Sequence, residues 1–131
     1  SSGAAAVTGT FTPSLVGVIG GAATYEYALG TYTKVNNLVY FDINIKTLTC
    51  YFSNPISVAG LPFVRKNTAN EVSTVTVLLD RYTFSGSGVI GQIKANTSVI
   101  YLLSVRTGNT PSSVTCSSDV SSLSISGVYP V

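Results

Sequence analysis

Asn37-Leu38-Val39-Tyr40-Phe41-Asp42-Ile43-Asn44-Ile45-Lys46 carries the plainest structural signal in the chain. Val39, Phe41, Ile43 and Ile45 alternate strictly with Tyr40, Asp42, Asn44 and Lys46. A period of two puts the first set on one face of a β-strand and the second on the other, so the apolar face belongs to a core and the polar face to water or an interface. The C-terminal stretch Ser122-Leu123-Ser124-Ile125-Ser126-Gly127-Val128-Tyr129 repeats the pattern, with Leu123, Ile125 and Tyr129 on one side and Ser122, Ser124 and Ser126 on the other. Gly127 interrupts it, as expected at a bulge or where another chain segment approaches closely.

Between and around these two segments, short runs rich in Val, Ile, Thr, Tyr and Phe alternate with Gly, Asn, Ser and Pro. The runs predict further strands over 10–18, 24–27, 32–35, 57–60, 72–79, 82–84, 89–94 and 99–105. In 72–79 both faces are partly apolar, which predicts a central or covered strand. Asn36-Asn37 suits a hairpin with positive φ, Ser85-Gly86-Ser87-Gly88 a flexible hairpin, and Ala95-Asn96-Thr97-Ser98 a tight turn; a longer loop follows over 106–113. Pro13 and Pro62 should each mark a strand edge or end, because proline offers the ladder no donor. No segment makes a good helix, and the fold expected is all-β and antiparallel, with about eight to ten strands in a sandwich or barrel.

The chain has 131 residues, the size of one domain. Residues 1–8, Ser-Ser-Gly-Ala-Ala-Ala-Val-Thr, are small and without period and read as a linker or neck remnant, leaving 9–131 as a single domain. The start at Ser1 and the absence of methionine suggest a piece of a longer polypeptide. Charged residues make up only 9% against 45% hydrophobic, so part of the apolar surface is expected to meet another chain. No apolar run approaches the roughly 20 residues of a membrane span. The seven basic residues are scattered, which does not suit nucleic acid, since phosphate recognition needs a concentrated positive field. Cys50 and Cys116 stand outside any zinc spacing and are expected to be free thiols, because a core of this size needs no staple.

Catalytic chemistry is poorly supplied. With no histidine, hydrolysis by Ser-His-Asp or Cys-His is excluded in its ordinary form. Glu26, Asp42, Glu71, Asp80 and Asp119 are the carboxylates, none in a motif, and they read as surface charges rather than a glycosidase pair. Gly17-Val18-Ile19-Gly20-Gly21 lacks the Lys and Ser/Thr of a phosphate loop. No catalytic residue, metal or cofactor is expected. Eight tyrosines with Asn, Ser, Thr and a few Arg in loops suit binding to a polar partner, because tyrosine offers a broad amphipathic face at small entropic cost. The binding candidates are Asp80 and Arg81, which could hold a hydroxyl pair beside a stacking Tyr82, and Arg106 with Asn109 in the long loop. Asn54, Arg65, Lys66 and Asn67 flank a further candidate segment, and the outward row Tyr40, Asp42, Asn44 reads as an interchain contact or solvated sheet.

Five short motifs follow one another in the chain: Gly9-Thr10-Phe11-Thr12-Pro13, Gly30-Thr31-Tyr32-Thr33-Lys34-Val35, Val58-Ala59-Gly60-Leu61-Pro62-Phe63, Gly91-Gln92-Ile93 with Asn96-Thr97-Ser98-Val99-Ile100, and Ile125-Ser126-Gly127-Val128-Tyr129. In this order they resemble the C-terminal domain of bacteriophage tail fibres and tailspikes. The departures are Asn36-Asn37, where that pattern often has glycine, and the ending Pro130-Val131. The resemblance implies a jelly-roll-like β-sandwich head, a homotrimer joined to upstream fibre or tailspike domains, attachment to host cell-surface polysaccharide or another receptor, and a place in the phage tail of a virion made in the host cytoplasm. It implies no enzymatic activity, because depolymerisation in such proteins belongs to a separate β-helical domain. A purely structural trimerisation module is the alternative; a small glycan-processing enzyme is a third reading.

Overall fold

The computed structural model describes residues 5–17, 20–106, 108 and 112–131. Among them are eleven strands and no helix: β1 (Ala6–Phe11), β2 (Ser14–Gly17), β3 (Ala22–Val35), β4 (Leu38–Phe52), β5 (Ile56–Ala59), β6 (Val72–Asp80), β7 (Gly88–Lys94), β8 (Val99–Val105), β9 (Ser112–Ser113), β10 (Cys116–Ser118) and β11 (Ser122–Pro130). Every pairing is antiparallel, and one hydrogen-bonded path runs β1-β3-β4-β11-β6-β7-β8-β5-β2, with β10 beside β4 and β9 beside β8. The all-β, antiparallel class expected from the sequence is the class observed. The ladder alone does not divide the strands into the two layers of a sandwich or jelly roll; it draws one curled sheet.

β4 is the centre of this sheet, and its alternation explains why. Val39, Phe41, Ile43 and Ile45 are at most 2% exposed, and each expels water from one face while the backbone pairs with β3 on one side and β11 on the other. The β3–β4 hairpin turns at Asn36-Asn37, where Asn36 takes φ 53°. Asparagine tolerates that left-handed conformation, which the two-residue turn needs. On β11, Leu123, Ile125 and Tyr129 are buried against the same core. The rings of Phe41 and Tyr129 meet edge to face at 5.7 Å, and the Tyr129 hydroxyl donates to the Phe63 carbonyl at 2.8 Å and accepts from its N–H at 3.3 Å. Gly127 is a close approach, since a Cβ there would stand 2.4 Å from Val75 Cγ1 on β6.

The far arm of the sheet returns over this core. Leu15 N on β2 donates to the Tyr25 hydroxyl on β3 at 2.7 Å, so the last strand of the path returns to its second and the sheet curls into a half-barrel. Ile56, Val58, Ile93, Ile100 and Leu102 from β5, β7 and β8 complete the core. Cys50 and Cys116 are both free and buried within it.

Several expected elements have different limits. The strand read over 10–18 is interrupted at Pro13: β2 follows it, and β1 before it begins at Ala6, so Ala6, Val7 and Thr8, read as linker, pair with Val35, Lys34 and Thr33 of β3, while Val18 lies outside the described residues. The segments 24–27 and 32–35 are one 14-residue strand, β3. Gly30, between the two expected segments, is a seat for Phe11, whose Cε2 would lie 2.6 Å from a Cβ there. The segment 82–84 is not a strand but a single bridge between Thr83 and Thr115. β6 is central as expected, lying between β11 and β7.

Candidate functional site

Because side chains alternate across each strand, the core set on β4 and β11 forces a second set outward in register. Across the outer face, Thr10, Thr31, Asp42, Ser126 and Thr76 form one row over β1, β3, β4, β11 and β6. Thr8, Thr33, Tyr40 and Val128 form the row on one side of it, and Leu29, Asn44, Ser124 and Leu78 the row on the other. Two depressions lie in this face. The larger, about 580 Å³, is lined by Thr8, Thr10, Thr31, Thr33, Tyr40, Asp42 and Ser126; the smaller, about 180 Å³, takes Asn44, Thr76, Leu78 and Ser124. Asp42 and Ser126 line both, so the depressions form one groove across the strands. Its chemistry is a field of hydroxyls with one carboxylate, one phenol, an amide and the exposed Leu78 side chain. Ser124 Oγ donates to Asn44 Oδ1 at 2.9 Å, fixing the amide's carbonyl and leaving its NH₂ free to donate outward.

The candidates at the end of β6 are parted. Asp80 is exposed and shares the outward face of β6 with Thr76 and Leu78, opposite Ser122, so it continues the face that holds the groove. Arg81 is exposed with φ 65°, and its carbonyl accepts from the Cys116 thiol at 3.7 Å. Tyr82 turns the other way. Its ring packs against the core, and burial pushes its phenol pKa up, with the Ser121 hydroxyl acting in the opposite direction. The half-buried ring of Tyr82 therefore packs toward the core, while Asp80 and Arg81 are exposed.

Arg106 follows β8 and is half-buried, lying against Gly86, where a Cβ would stand 2.7 Å from Arg106 Cγ. Ser87 N donates to Val105 O at 3.2 Å and Thr83 exchanges backbone bonds with Thr115, so the loop after β6 meets the end of β8 and the residue before β10. Asn109 lies outside the described residues. Arg65, by contrast, is buried at 3% exposure. Its Nε donates to Ser73 Oγ at 2.9 Å and Nη1 to Lys66 O at 3.0 Å, which makes it an internal tie for the segment before β6. The outer-face groove is the feature that sequence reasoning passed over. Its signal was the polar alternation Tyr40, Asp42, Asn44 and Ser122, Ser124, Ser126, but only the register shows that the two rows adjoin.

The strand order and curl can be set beside known structures. The crystal structure of the Dettilon tailspike protein (gp208) superimposes with a TM-score of 0.72 at 21% sequence identity, over 95% of this chain. The fold is similar to part of a tailspike. The matched region is 24% of that protein, so this chain spans about a quarter of its length. At such identity the likeness is one of fold. No protein-family model matches the sequence, and no curated protein does.

Proposed function

We propose that this chain is the receptor-binding head of a phage tail fibre or tailspike, carried in the virion on upstream domains, recognising a host cell-surface glycan without cleaving it and closing the fibre as a homotrimer. The observation that carries this reading is the groove across β1, β3, β4, β11 and β6, whose hydroxyls, amide and phenol offer a saccharide many weak hydrogen bonds and one ring to stack on. The likeness in fold to a tailspike segment supports the setting. In this reading the two arms of the curled sheet serve as the layers of a jelly-roll-like head. Single hydrogen bonds contribute about 1 kcal/mol net, so affinity comes from their number and from three copies presented together. The chain supplies no histidine and few carboxylates for bond cleavage.

A second reading, a trimerisation module that binds no ligand, is favoured by exposed aliphatic side chains on the same face, above all Leu78 at 73% and Leu29 at 58%. Soluble monomers seldom leave such patches large and bare. An array of host surface polysaccharides, read together with release of reducing ends, separates the readings. Binding without release supports the receptor-binding head, no binding supports the structural module, and release identifies an enzyme.

A further inference from the structure

We infer that the groove on the outer face takes neutral saccharide chains and turns anionic ones away, with Asp42 as the central acceptor; this rests on the glycan-binding reading and specifies its ligand class. The charge layout is what separates the two ligand classes. The whole chain is net +2, yet among the described residues the only carboxyl or basic group lining the groove is Asp42. None of the seven Lys and Arg residues lines it. Lys46, further along β4, stands 3.1 Å from Glu26; Lys34 lies over the Phe63 ring at 5.9 Å and Lys94 over Tyr101 at 4.5 Å; Arg65 is buried. Arg81 lies beyond Asp80, past the end of the groove. A uronate or sialate carboxylate laid along the floor would therefore meet a carboxylate, with no guanidinium or ammonium lining the site to answer it. The repulsion acts well inside the screening length of about 8 Å at physiological salt.

A neutral chain meets the opposite situation. Its hydroxyls can donate to both oxygens of Asp42 and exchange bonds with Thr10, Thr31 and Ser126 around it. Tyr40, 49% exposed, presents a ring for the less polar face of a sugar. Five strands at about 4.8 Å spacing make the groove about 19 Å across. That span is longer than one sugar ring, so the occupant is a chain, laid across the strands.

The test uses the complete 131-residue chain labelled with ¹⁵N, titrated with matched oligosaccharides released from bacterial surface polysaccharides, one set neutral and one set carrying uronic or sialic acid. The expected result is that neutral members move the amide signals of Thr31, Asp42 and Ser126 while anionic members do not. Asp42→Ala should weaken neutral binding at least tenfold, about the value of one charged hydrogen bond, and Asp42→Asn should admit the anionic set. Anionic members that bind the parent at these amides as tightly as neutral ones would overturn the inference and leave glycan binding standing. Saccharides that move only amides of residues 81–87 and 112–116 would also overturn it, by placing the site at the end of the sheet. If no member moves any amide, the glycan-binding reading itself fails. If the outer-face amides become protected from exchange on self-association, the groove belongs to an interface between copies.

Discussion

Arg81 stands apart among the residues with positive φ. The other non-glycine examples among the described residues are Asn36, Asn70 and Asn96, all of a type whose short polar side chain eases the left-handed conformation. Arginine has no such help and costs about 1 kcal/mol there. Arg81→Gly is therefore expected to raise stability by up to about 1 kcal/mol in urea unfolding; an unchanged or lower midpoint would show that the guanidinium repays the strain through contacts. Residues kept in strain are often kept for function, so the same variant should be carried into glycan binding. A second expectation comes from buried acids. Burial pushes the Tyr129 phenol and the Cys50 thiol each up to about 12, from ordinary values of 10.0 and 9.0. Both groups ionise earlier in the unfolded chain, so their contribution is whole below pH 9 and is lost as pH rises toward 12. Melting temperature should fall across that window, and Tyr129→Phe should flatten part of the fall while costing about 1–2 kcal/mol at neutral pH through its two bonds to Phe63.

At the scale of elements, β11 is the strand on which the sheet depends, since it joins β4 to β6. Gly127 lets it lie against Val75. Gly127→Ala is expected to cost about 1–3 kcal/mol by overpacking, and Val75→Ala to recover part of the loss in the double variant; additive losses in chemical denaturation would contradict a close approach between the two residues. β4 and β11 were legible in the sequence because one face of each is buried and the other wet, which writes burial directly into alternation. β9 and β10 were not, because Ser112-Ser113 and Cys116-Ser117-Ser118 have no apolar period and are placed by partners on β8 and β4. The continuity of β3 through Gly30 was not legible for a related reason, since the lack of a side chain there serves Phe11 on β1. The groove was half legible. Its polar rows on β4 and β11 stand in the sequence, but Thr10 and Thr31 join them through pairings that no local pattern records. Tyr82 was not legible as a core neighbour, because an aromatic ring beside a strand end gains from packing that no local pattern records; here it lies half-buried against the core.

At the scale of the whole molecule, a curled sheet with a single core holds a wide outer face that is rich in hydroxyls, poor in charge and carries the bare leucines Leu29 and Leu78. Such a face suits either a saccharide chain or another copy of the protein. In the proposed function the groove belongs to the saccharide, and the homotrimer raises affinity through effective concentration. The two demands meet in one measurement: equilibrium binding of the assembled protein to host surface polysaccharide, followed by calorimetry, with the length distribution of the polysaccharide recorded before and after. The glycan-binding reading predicts saturable binding that is strongly weakened by Asp42→Ala, with no shortening of the polysaccharide. Absence of binding by an intact trimer, or shortening of the chains, would contradict it.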